Sequence, residues 1–252
     1  MLVYEKKGIL SVFKSKKPII AMIHLKGDTP EDIFERAKKE ITIFEENGVD
    51  GIMLENYYGN YYDLERILEY VSKANLSIPY GVNCLNVDTM GFELATKYNA
   101  SYIQVDSVVG HVKPRDEATL EEFFKLQRSK CPAYLIGGVR FKYQPVLSEN
   151  DVEEDLKIGM TRCDAIAVTE NATGQETSME KIELFRKNLG DFPLVIAAGV
   201  TLENAKKQLK LGDMAIIGSY FKDNYKDFGD VSVEHVKTFM DEIKKLGRNY
   251  ND

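Results

Sequence analysis

Side chains that can move protons stand at the ends of the first two apolar runs of the sequence. His24 lies in Met22-Ile23-His24-Leu25, and Glu55 and Asn56 end the second run. Histidine titrates near neutral pH and suits general acid–base work, although a histidine in an apolar strand can also be a satisfied core residue. A buried acid is costly unless it serves a purpose, so Glu55 is a candidate catalytic base or metal ligand and Asn56 a substrate ligand.

The third and fourth apolar runs end in polar residues of the same kind. Asn83 and Asp88 follow the third run, and the fourth run ends in Gln104-Val105-Asp106. Because side chains alternate along a strand, Gln104 and Asp106 share a face, which we expect to be the inward one. We expect Asp106 to be catalytic and Asn83 and Asp88 to bind substrate; Asp88 can equally serve only as the cap of the third helix.

Cations and hydroxyls follow the fifth and sixth runs. Arg140 and Lys142 can neutralise an anionic substrate, with Lys142 opposing developing negative charge, or they can be ordinary solvated loop residues. The segment 169–174 combines hydroxyls, an acid, an amide and a glycine, which is typical of a ligand-binding loop. From this segment we assign four residues to substrate binding: Thr169, Glu170, Thr173 and Gly174.

Glycines after the seventh and eighth runs predict a phosphate site. The seventh run leads into Gly199-Val200-Thr201 and a helix, and the eighth ends in Gly218-Ser219. Glycine lets the backbone approach an anion closely, and free N–H groups at a helix start can bind it. These glycines can also serve only as turns. Their occurrence in both loops favours phosphate binding by Gly199, Val200, Thr201, Gly218 and Ser219.

The elements that must position these residues alternate along the chain. Short apolar runs rich in branched residues are each followed by an amphipathic pattern of helical length, which indicates a parallel sheet covered by helices. The predicted strands are residues 19–25, 51–55, 80–84, 102–106, 133–139, 165–169, 194–198 and 214–218. The predicted helices are residues 30–47, 62–74, 89–98, 119–130, 151–161, 178–189, 202–211 and 232–246.

Eight even units in 252 residues favour a single-domain, closed parallel (β/α)8 TIM barrel over the competing open, doubly wound sheet. We place the barrel at residues 18–246, an N-terminal arm or bottom-covering helix at 1–17, and a disordered tail at 247–252. In such a barrel, polar residues at the carboxyl ends of the strands form the active site, which is where the candidates above fall.

Composition narrows the classes of function. The net charge of −7 and pI near 5.2 argue against a nucleic-acid binder and against a basic membrane-binding surface. No apolar stretch is long enough to span a membrane, and the three cysteines have no metal-like spacing, so we expect a cytoplasmic protein. No metal motif is specific, and no cofactor is indicated with certainty; Mg²⁺ is possible. We expect a homo-oligomer.

Taken together and in order, these segments resemble the BtpA/SgcQ family of predicted TIM-barrel proteins. The segments that carry the resemblance are residues 17–25, 48–56, 81–88, 169–174 and 198–204, and then Ile217-Gly218-Ser219 with Lys222. The resemblance implies the barrel and the positions of the site. The family name comes from a role in photosystem I biogenesis, and other members resemble products of sugar-utilisation gene neighbourhoods.

Two loops depart from the family pattern. The loop after the first strand, residues 26–30, is shorter than is usual in the family. After the fifth strand, Lys142 and Pro145 are retained, whereas Gly138 and Tyr143 stand where the family has an acid and a histidine. A reaction that needs those two groups is therefore not expected here.

Two functions from different classes follow. The first is an enzyme that acts by acid–base catalysis on a phosphorylated sugar or nucleotide-like metabolite, as an isomerase, lyase or hydrolase. The second is a non-catalytic assembly or regulatory factor that acts through protein partners, with the tyrosines in residues 57–62 as a contact surface. The same tyrosines could instead cover the site or join two copies of the chain.

Overall fold

Branched and apolar residues fill eight short segments that are buried on both faces, and each forms one strand of a parallel barrel. The structure, a computed structural model, describes residues 8–110, 117–146 and 149–246. Residues 1–7 of the predicted arm and the predicted tail lie outside the described residues. The strands are β1 (Ile19–His24), β2 (Gly51–Glu55), β3 (Tyr80–Asn83), β4 (Tyr102–Val105), β5 (Tyr134–Gly138), β6 (Ala165–Val168), β7 (Leu194–Ile196) and β8 (Met214–Ile217).

The barrel closes between its first and last strands. β1 pairs in parallel with β2 and also with β8, where Ile19 faces Ala215 and Ala21 faces Ile217. The strand order runs from β1 to β8 without interruption. This closure confirms the predicted (β/α)8 barrel and excludes the open sheet.

Helices follow the strands and cover the outside of the barrel. They are α1 (Pro30–Glu46), α2 (Tyr61–Lys73), α3 (Asp88–Lys97), α4 (Glu117–Lys130), α5 (Val152–Arg162), α6 (Met179–Leu189), α7 (Leu202–Gln208) and α8 (Val233–Leu246). Their starts show the capping that the sequence indicates: the Thr29 side chain accepts from Asp32 N–H, and the Ser178 side chain accepts from Lys181 N–H. α2 begins with a capping box between Asn60 and Asp63.

The amino ends of the strands are closed by apolar side chains. A short 3-10 helix, Ile9–Val12, and Phe13 pack into the same buried cluster as residues that fill the barrel interior. The Phe13 and Tyr102 rings lie 5.6 Å apart, and Tyr102 donates a hydrogen bond to Ile52 O at 2.8 Å. Because this end is filled, the carboxyl ends of the strands provide the accessible mouth of the barrel.

Candidate functional site

Four polar residues stand side by side on neighbouring strands inside the mouth. In the strand registers, His24 faces Glu55, Glu55 faces Asn83, and Asn83 faces Gln104. Side chains at paired positions of parallel strands point to the same face, so these four form one row, which we call the polar rung. Each is no more than 4% exposed, so their hydrogen bonds are made away from bulk water.

Hydrogen bonds run along the polar rung and reach Asp106. His24 Nε2 lies 3.3 Å from Glu55 Oε2, and Asn83 Nδ2 donates to Glu55 Oε1 at 2.7 Å. The same Asn83 nitrogen is 3.5 Å from Asp106 Oδ1, which also accepts from Gln104 Nε2 at 3.1 Å. The predicted residues His24, Glu55, Asn83 and Asp106 therefore belong to one connected network.

Burial sets the protonation of the central pair. It raises the pKa of Glu55 to about 8, with the negative charge of Asp106 adding to the effect against Lys142 and Asn83. Burial, helped by the positive charge of Lys222, lowers the pKa of His24 to about 3. At neutral pH both groups are therefore uncharged, and the pair holds its proton on Glu55.

The backbone after β8 selects the tautomer of His24. His24 Nδ1 lies 3.2 Å from the carbonyl oxygen of Asp227. A carbonyl can only accept, so Nδ1 carries the hydrogen and Nε2 is left as the acceptor that faces Glu55. This arrangement lets the Glu55 carboxylic acid donate to His24.

A cavity of about 390 Å³ opens beside His24, between the loops that follow β7 and β8. All five predicted phosphate ligands line it: Gly199, Val200, Thr201, Gly218 and Ser219. His24, Lys142, Thr173 and Gly174 also line it. The structure thus brings the predicted phosphate residues to the same space as a predicted proton-transfer residue and a cation.

Two glycines shape this cavity. Gly199 has φ of 65°, and a Cβ there would lie 2.2 Å from the Gln175 carbonyl oxygen, so only glycine fits this turn. A Cβ at Gly218 would lie 3.1 Å from Cε1 and 3.7 Å from Nε2 of His24. The backbone at Gly218 therefore borders the Nε2 edge of the imidazole.

Lys142 connects the cavity to the carboxylates. Its charge opposes the rise that burial causes in the pKa values of Glu55 and Asp106. Its own backbone N–H donates to Thr169 Oγ1 at 2.7 Å, which holds the loop after β5 against the loop after β6. Thr169 is fully buried and so supports the loop instead of facing the cavity.

A second cavity, of about 200 Å³, lies at the ends of β3 and β4. The predicted residues Asn83, Asp88 and Asp106 line it, together with Asn86, Ser107 and Gln144. Asp88 is also the first residue of α3, as the helix-cap alternative would place it. The polar rung separates this cavity from the larger one, since His24 lines the first and Asn83 the second.

Three loops meet through a small set of hydroxyl contacts above His24. Tyr57, in the loop after β2, has its ring 4.9 Å from that of His24, and its hydroxyl lies 3.4 Å from Thr173 Oγ1. The Tyr143 hydroxyl also lies 3.4 Å from Thr173 Oγ1 and accepts from Thr173 N–H at 3.0 Å. We call Tyr57, Thr173 and Tyr143 the tyrosine bridge.

Three predicted substrate ligands are engaged elsewhere. The Arg140 guanidinium donates to Asp155 Oδ2 at 2.8 Å and to Asn150 O at 2.7 Å, and Arg140 does not line either cavity. Glu170 accepts from Ser178 N–H at 3.2 Å, near the start of α6. Asn56 Oδ1 accepts from Leu85 N–H at 2.7 Å. In the structure these residues hold loops around the mouth.

Sequence reasoning missed a buried ion pair behind β1. Lys222, which follows β8, is fully buried and donates to Glu40 Oε1 of α1 at 2.9 Å. Burial lowers the pKa of Lys222 and raises that of Glu40, and their attraction opposes both shifts. Helical spacing was an available signal, because Glu40 lies three residues after Ala37 on the buried face of α1.

Gly138 and Tyr143, which we expect to depart from the family pattern, both suit the backbone of the loop after β5. A Cβ at Gly138 would lie 2.2 Å from the Asp106 carbonyl oxygen, so an acidic side chain does not fit there with this loop conformation. Tyr143 has φ of 59° and directs its hydroxyl to Thr173. The loop after β5 therefore contributes Lys142 and a member of the tyrosine bridge.

The part of the chain that the structure describes contains neither a cluster of metal-ligating side chains nor a membrane-spanning helix. Within 8–110, 117–146 and 149–246, no group of three or more His, Cys, Asp or Glu side chains is placed to hold a metal ion. In these ranges no helix combines the length and the apolar character needed to cross a membrane.

Solved structures with the same fold include enzymes named for phosphorylated compounds. A structure described as native KDPGal superposes with a TM-score of 0.62 at 12% identity, covering 94% of this chain and 97% of that one. Orotidine 5'-phosphate decarboxylase from Pyrococcus horikoshii superposes with a TM-score of 0.60 at 19% identity, covering 89% and 99%. At these identities the likeness establishes the fold alone.

Sequence relatives cover almost the whole chain. An uncharacterized protein of Methanocaldococcus jannaschii is 27% identical, over 94% of this chain and 99% of its own. Photosystem I biogenesis protein BtpA of Synechocystis is 24% identical, over 85% and 83%, and the sgc region protein SgcQ of Escherichia coli is 22% identical, over 94% and 98%. The model of the BtpA family matches residues 15–245. This chain therefore belongs to the BtpA family.

Proposed function

We propose that the chain is an enzyme that acts on a phosphorylated sugar or nucleotide-like metabolite by acid–base catalysis. One observation carries the proposal: a single cavity is lined by the glycine-rich loops after β7 and β8, by His24 and by Lys142. Backbone N–H groups in such loops bind phosphate, and loops after the seventh and eighth strands are a recurrent phosphate site of this fold. The names of the orotidine 5'-phosphate decarboxylase and phosphoribosylanthranilate isomerase that share the fold agree with this class of substrate.

The geometry supports a specific division of labour. Glu55 holds a proton and points it at His24 Nε2, while His24 is the member of the pair that faces the cavity. A phosphate near Gly218 would place negative charge beside the imidazole and so favour its protonated form. The proton then moves from Glu55 Oε2 to His24 Nε2, and Asn83 and Lys142 stabilise the carboxylate that remains.

His24 would exchange that proton with the substrate. Because Nδ1 stays bound to Asp227 O, the exchange with substrate would run through Nε2. A substrate oxygen at the Nε2 edge of the imidazole, which Gly218 borders, would take up the proton that came from Glu55, and a proton released later in the reaction would restore the Glu55 carboxylic acid.

The ammonium of Lys142 borders the same cavity and would stabilise negative charge that develops on a substrate oxygen. Asp106, hydrogen bonded to Asn83 and Gln104, would orient the substrate from the side of the second cavity. Isomerase, lyase and hydrolase reactions all use such a set of groups.

Thermal-shift screening tests the binding half of the proposal. Purified protein would be mixed with inorganic phosphate, sugar phosphates and nucleotides, each with and without Mg²⁺. A compound that binds only the folded state raises Tm by mass action. Ser219→Asp should abolish the shift by placing a negative charge in the cavity, whereas Ser129→Asp, on the exposed surface of α4, should keep it. No shift with any phosphorylated compound would contradict the proposal.

Turnover of a binding compound tests the catalytic half. Phosphorus and proton NMR would follow its conversion by the wild type and by Glu55→Gln. Removing the proton should lower kcat by about 100-fold to 10,000-fold and leave binding within a fewfold of the wild type. Equal turnover by the two proteins would remove Glu55 from the mechanism.

A second candidate is a non-catalytic assembly factor, which the name of the Synechocystis relative favours. Tyr58, Tyr143, Tyr225 and Phe228 are each between 46% and 63% exposed, and exposed aromatic side chains are typical of protein interfaces. This role predicts full biological activity of Glu55→Gln and capture of a defined partner from the host. A cytoplasmic location, a Mg²⁺ requirement and a homo-oligomer remain proposals; light scattering of the purified protein tests the last.

A further inference from the structure

We propose that the second cavity binds a polyhydroxylated chain, so that the substrate is an open-chain sugar phosphate that spans the mouth with its phosphate near β7 and β8. This inference rests on the proposed function and narrows its substrate class. Six polar residues line the cavity: Asn83, Asn86, Asp88, Asp106, Ser107 and Gln144.

The chemistry of this lining fits hydroxyl groups. Carboxylates accept hydrogen bonds from hydroxyls, and amides both donate and accept, so this set can pair several neighbouring hydroxyls. Among the residues that the structure describes, neither a lysine nor an arginine lines this cavity, and two carboxylates would repel a second anion. An apolar group would displace water from this lining without replacing the hydrogen bonds that the water makes, which is costly.

The position of the cavity supports one ligand that reaches both sites. In a closed barrel of eight strands, β3 and β4 lie opposite β7 and β8. The polar rung lies between the cavities and connects them through His24, Glu55 and Asn83. A chain with its phosphate in the first cavity and its hydroxyls in the second would therefore place its middle carbons beside His24 and Lys142.

Buried groups under the second cavity also fit this reading. Gln104 donates to Asp106, but its own Oε1 is buried and has no hydrogen-bond partner among the residues that the structure describes. Asp106 is held in place by two amides, and burial raises the pKa of its carboxyl group. Holding a carboxylate firmly at the cavity wall prepares it to accept from a ligand hydroxyl without reorganisation.

A length series of sugar alcohol phosphates tests the inference. Calorimetry would compare inorganic phosphate, glycerol 3-phosphate, erythritol 4-phosphate, ribitol 5-phosphate and sorbitol 6-phosphate. These alcohols lack a carbonyl group, so binding is measured without the isomerisation that an aldose or ketose phosphate could undergo. In the wild type the longest compounds should bind about 10-fold to 100-fold more tightly than glycerol 3-phosphate, because each added hydrogen bond should strengthen binding by about fivefold.

Substitutions test whether the second cavity is the source of the tighter binding of the longer compounds. Gln144→Leu and Asp88→Asn should each reduce the advantage of the long compounds by about fivefold or more, while inorganic phosphate binds as in the wild type. Gln127→Leu, the same change on α4 outside the mouth, should leave the whole series unchanged.

The failures of the two proposals are distinguishable. If phosphate and glycerol 3-phosphate bind and the longer compounds bind no better, the second cavity is not a hydroxyl site, although the proposed function stands. If a nucleotide binds more tightly than every sugar alcohol phosphate, or Mg²⁺ alone raises Tm and Gln144→Leu abolishes this, the inference is overturned. If no phosphorylated compound binds, both proposals fail.

Discussion

Backbone lines one half of the barrel mouth, and polar side chains line the other half. On the side of β7 and β8, backbone shapes the cavity: Gly199 leaves no room for a side chain, and Gly218 lies close against the His24 ring. On the side of β1 to β4, four side chains in strand register form the polar rung. The backbone-lined half suits a phosphate group, which many metabolites share. The half lined by polar side chains suits the remainder of the ligand, which differs from one metabolite to another.

Two buried pairs near the mouth also differ in charge. Lys222 and Glu40 form a buried ion pair behind the loop that follows β8. His24 and Glu55, by contrast, are uncharged at neutral pH because burial moves their pKa values in opposite directions. The charged pair joins the loop after β8 to α1, whereas the neutral pair lies inside the mouth, and the two pairs should respond differently to substitution and to pH.

The largest expected effect is at the charged pair of Lys222 and Glu40. Lys222→Met should lower the free energy of unfolding by about 3–5 kcal/mol, because it leaves Glu40 buried without its partner. Urea unfolding at pH 7 measures the change. The double variant Glu40→Leu/Lys222→Met should recover most of the loss, since neither charge remains. If the double variant is as unstable as the single one, packing and not charge explains the effect.

The next effect should be at the backbone-lined cavity. Gly199→Ala should cost about 2–4 kcal/mol and abolish stabilisation by phosphate, because the added Cβ meets backbone atoms of Gln175 and the left-handed φ disfavours alanine. Gly48→Ala is the matched control: its φ is 75°, but its Cβ meets only the mobile end of Lys244. The control should cost about 1 kcal/mol. An equal loss of stability in both variants would show that the left-handed φ, and not the contact with Gln175, causes the destabilisation.

The neutral pair of His24 and Glu55 should make the free energy of unfolding depend on pH. Glu55 has an ordinary pKa of 4.5 and a folded value of about 8, so between these values the folded state binds the extra proton. Up to about pH 6.5, protonation of His24 in the unfolded chain cancels this dependence. From pH 6.5 to 8 the free energy of unfolding should therefore fall by about 2 kcal/mol.

Glu55→Gln isolates this contribution. The amide can keep the contacts with His24 and Asn83 but does not titrate, so the fall between pH 6.5 and 8 should largely disappear. Lys142, Asp106 and Asp227, the other charged groups acting on Glu55, remain in the variant. Glu35→Gln, an exposed change on α1, should retain the wild-type slope. Parallel pH profiles for wild type and Glu55→Gln would refute the raised pKa.

The smallest effect should be at the tyrosine bridge, which joins the halves. Thr173→Val removes the hydroxyl that contacts Tyr57 and Tyr143, and should cost less than about 1 kcal/mol because these contacts are long and exposed. Thermal unfolding measures the loss. Tyr57→Phe removes one of the same contacts, so the two changes together should cost less than their sum. If the double variant loses as much stability as the two single variants together, the contact between Tyr57 and Thr173 does not contribute to stability.

Features that depend on neighbouring residues were predictable from the sequence, whereas contacts between residues far apart in the sequence were not. The barrel was predictable because buried parallel strands and amphipathic helices leave local patterns. The polar rung was partly predictable, since a polar residue at the end of an apolar strand stands out wherever its neighbours lie. The fit of Gly199 to its turn was likewise a local property.

The partners of long-range contacts left no such pattern. Lys222 and Glu40 are 182 residues apart, and the sequence does not show that the loop after β8 returns to α1. The sequence predicts Arg140 as a substrate ligand or a solvated loop residue and gives no sign of the contacts with Asp155 and Asn150 that the structure shows. Tyr57, Thr173 and Tyr143 come from three loops, and only the closed barrel brings their hydroxyls together.

The polar rung has a consequence for how the protein can diverge. His24, Glu55 and Asn83 belong to β-strands, and their spacing is set by the distance between paired strands, about 4.8 Å. Loops can therefore change in length or sequence without changing the separation of acid and base. The departures from the family pattern that the resemblance predicts, in the loops after β1 and β5, would be changes of this kind. Exchanging these loops between family members should transfer ligand preference and leave the proton chemistry in place.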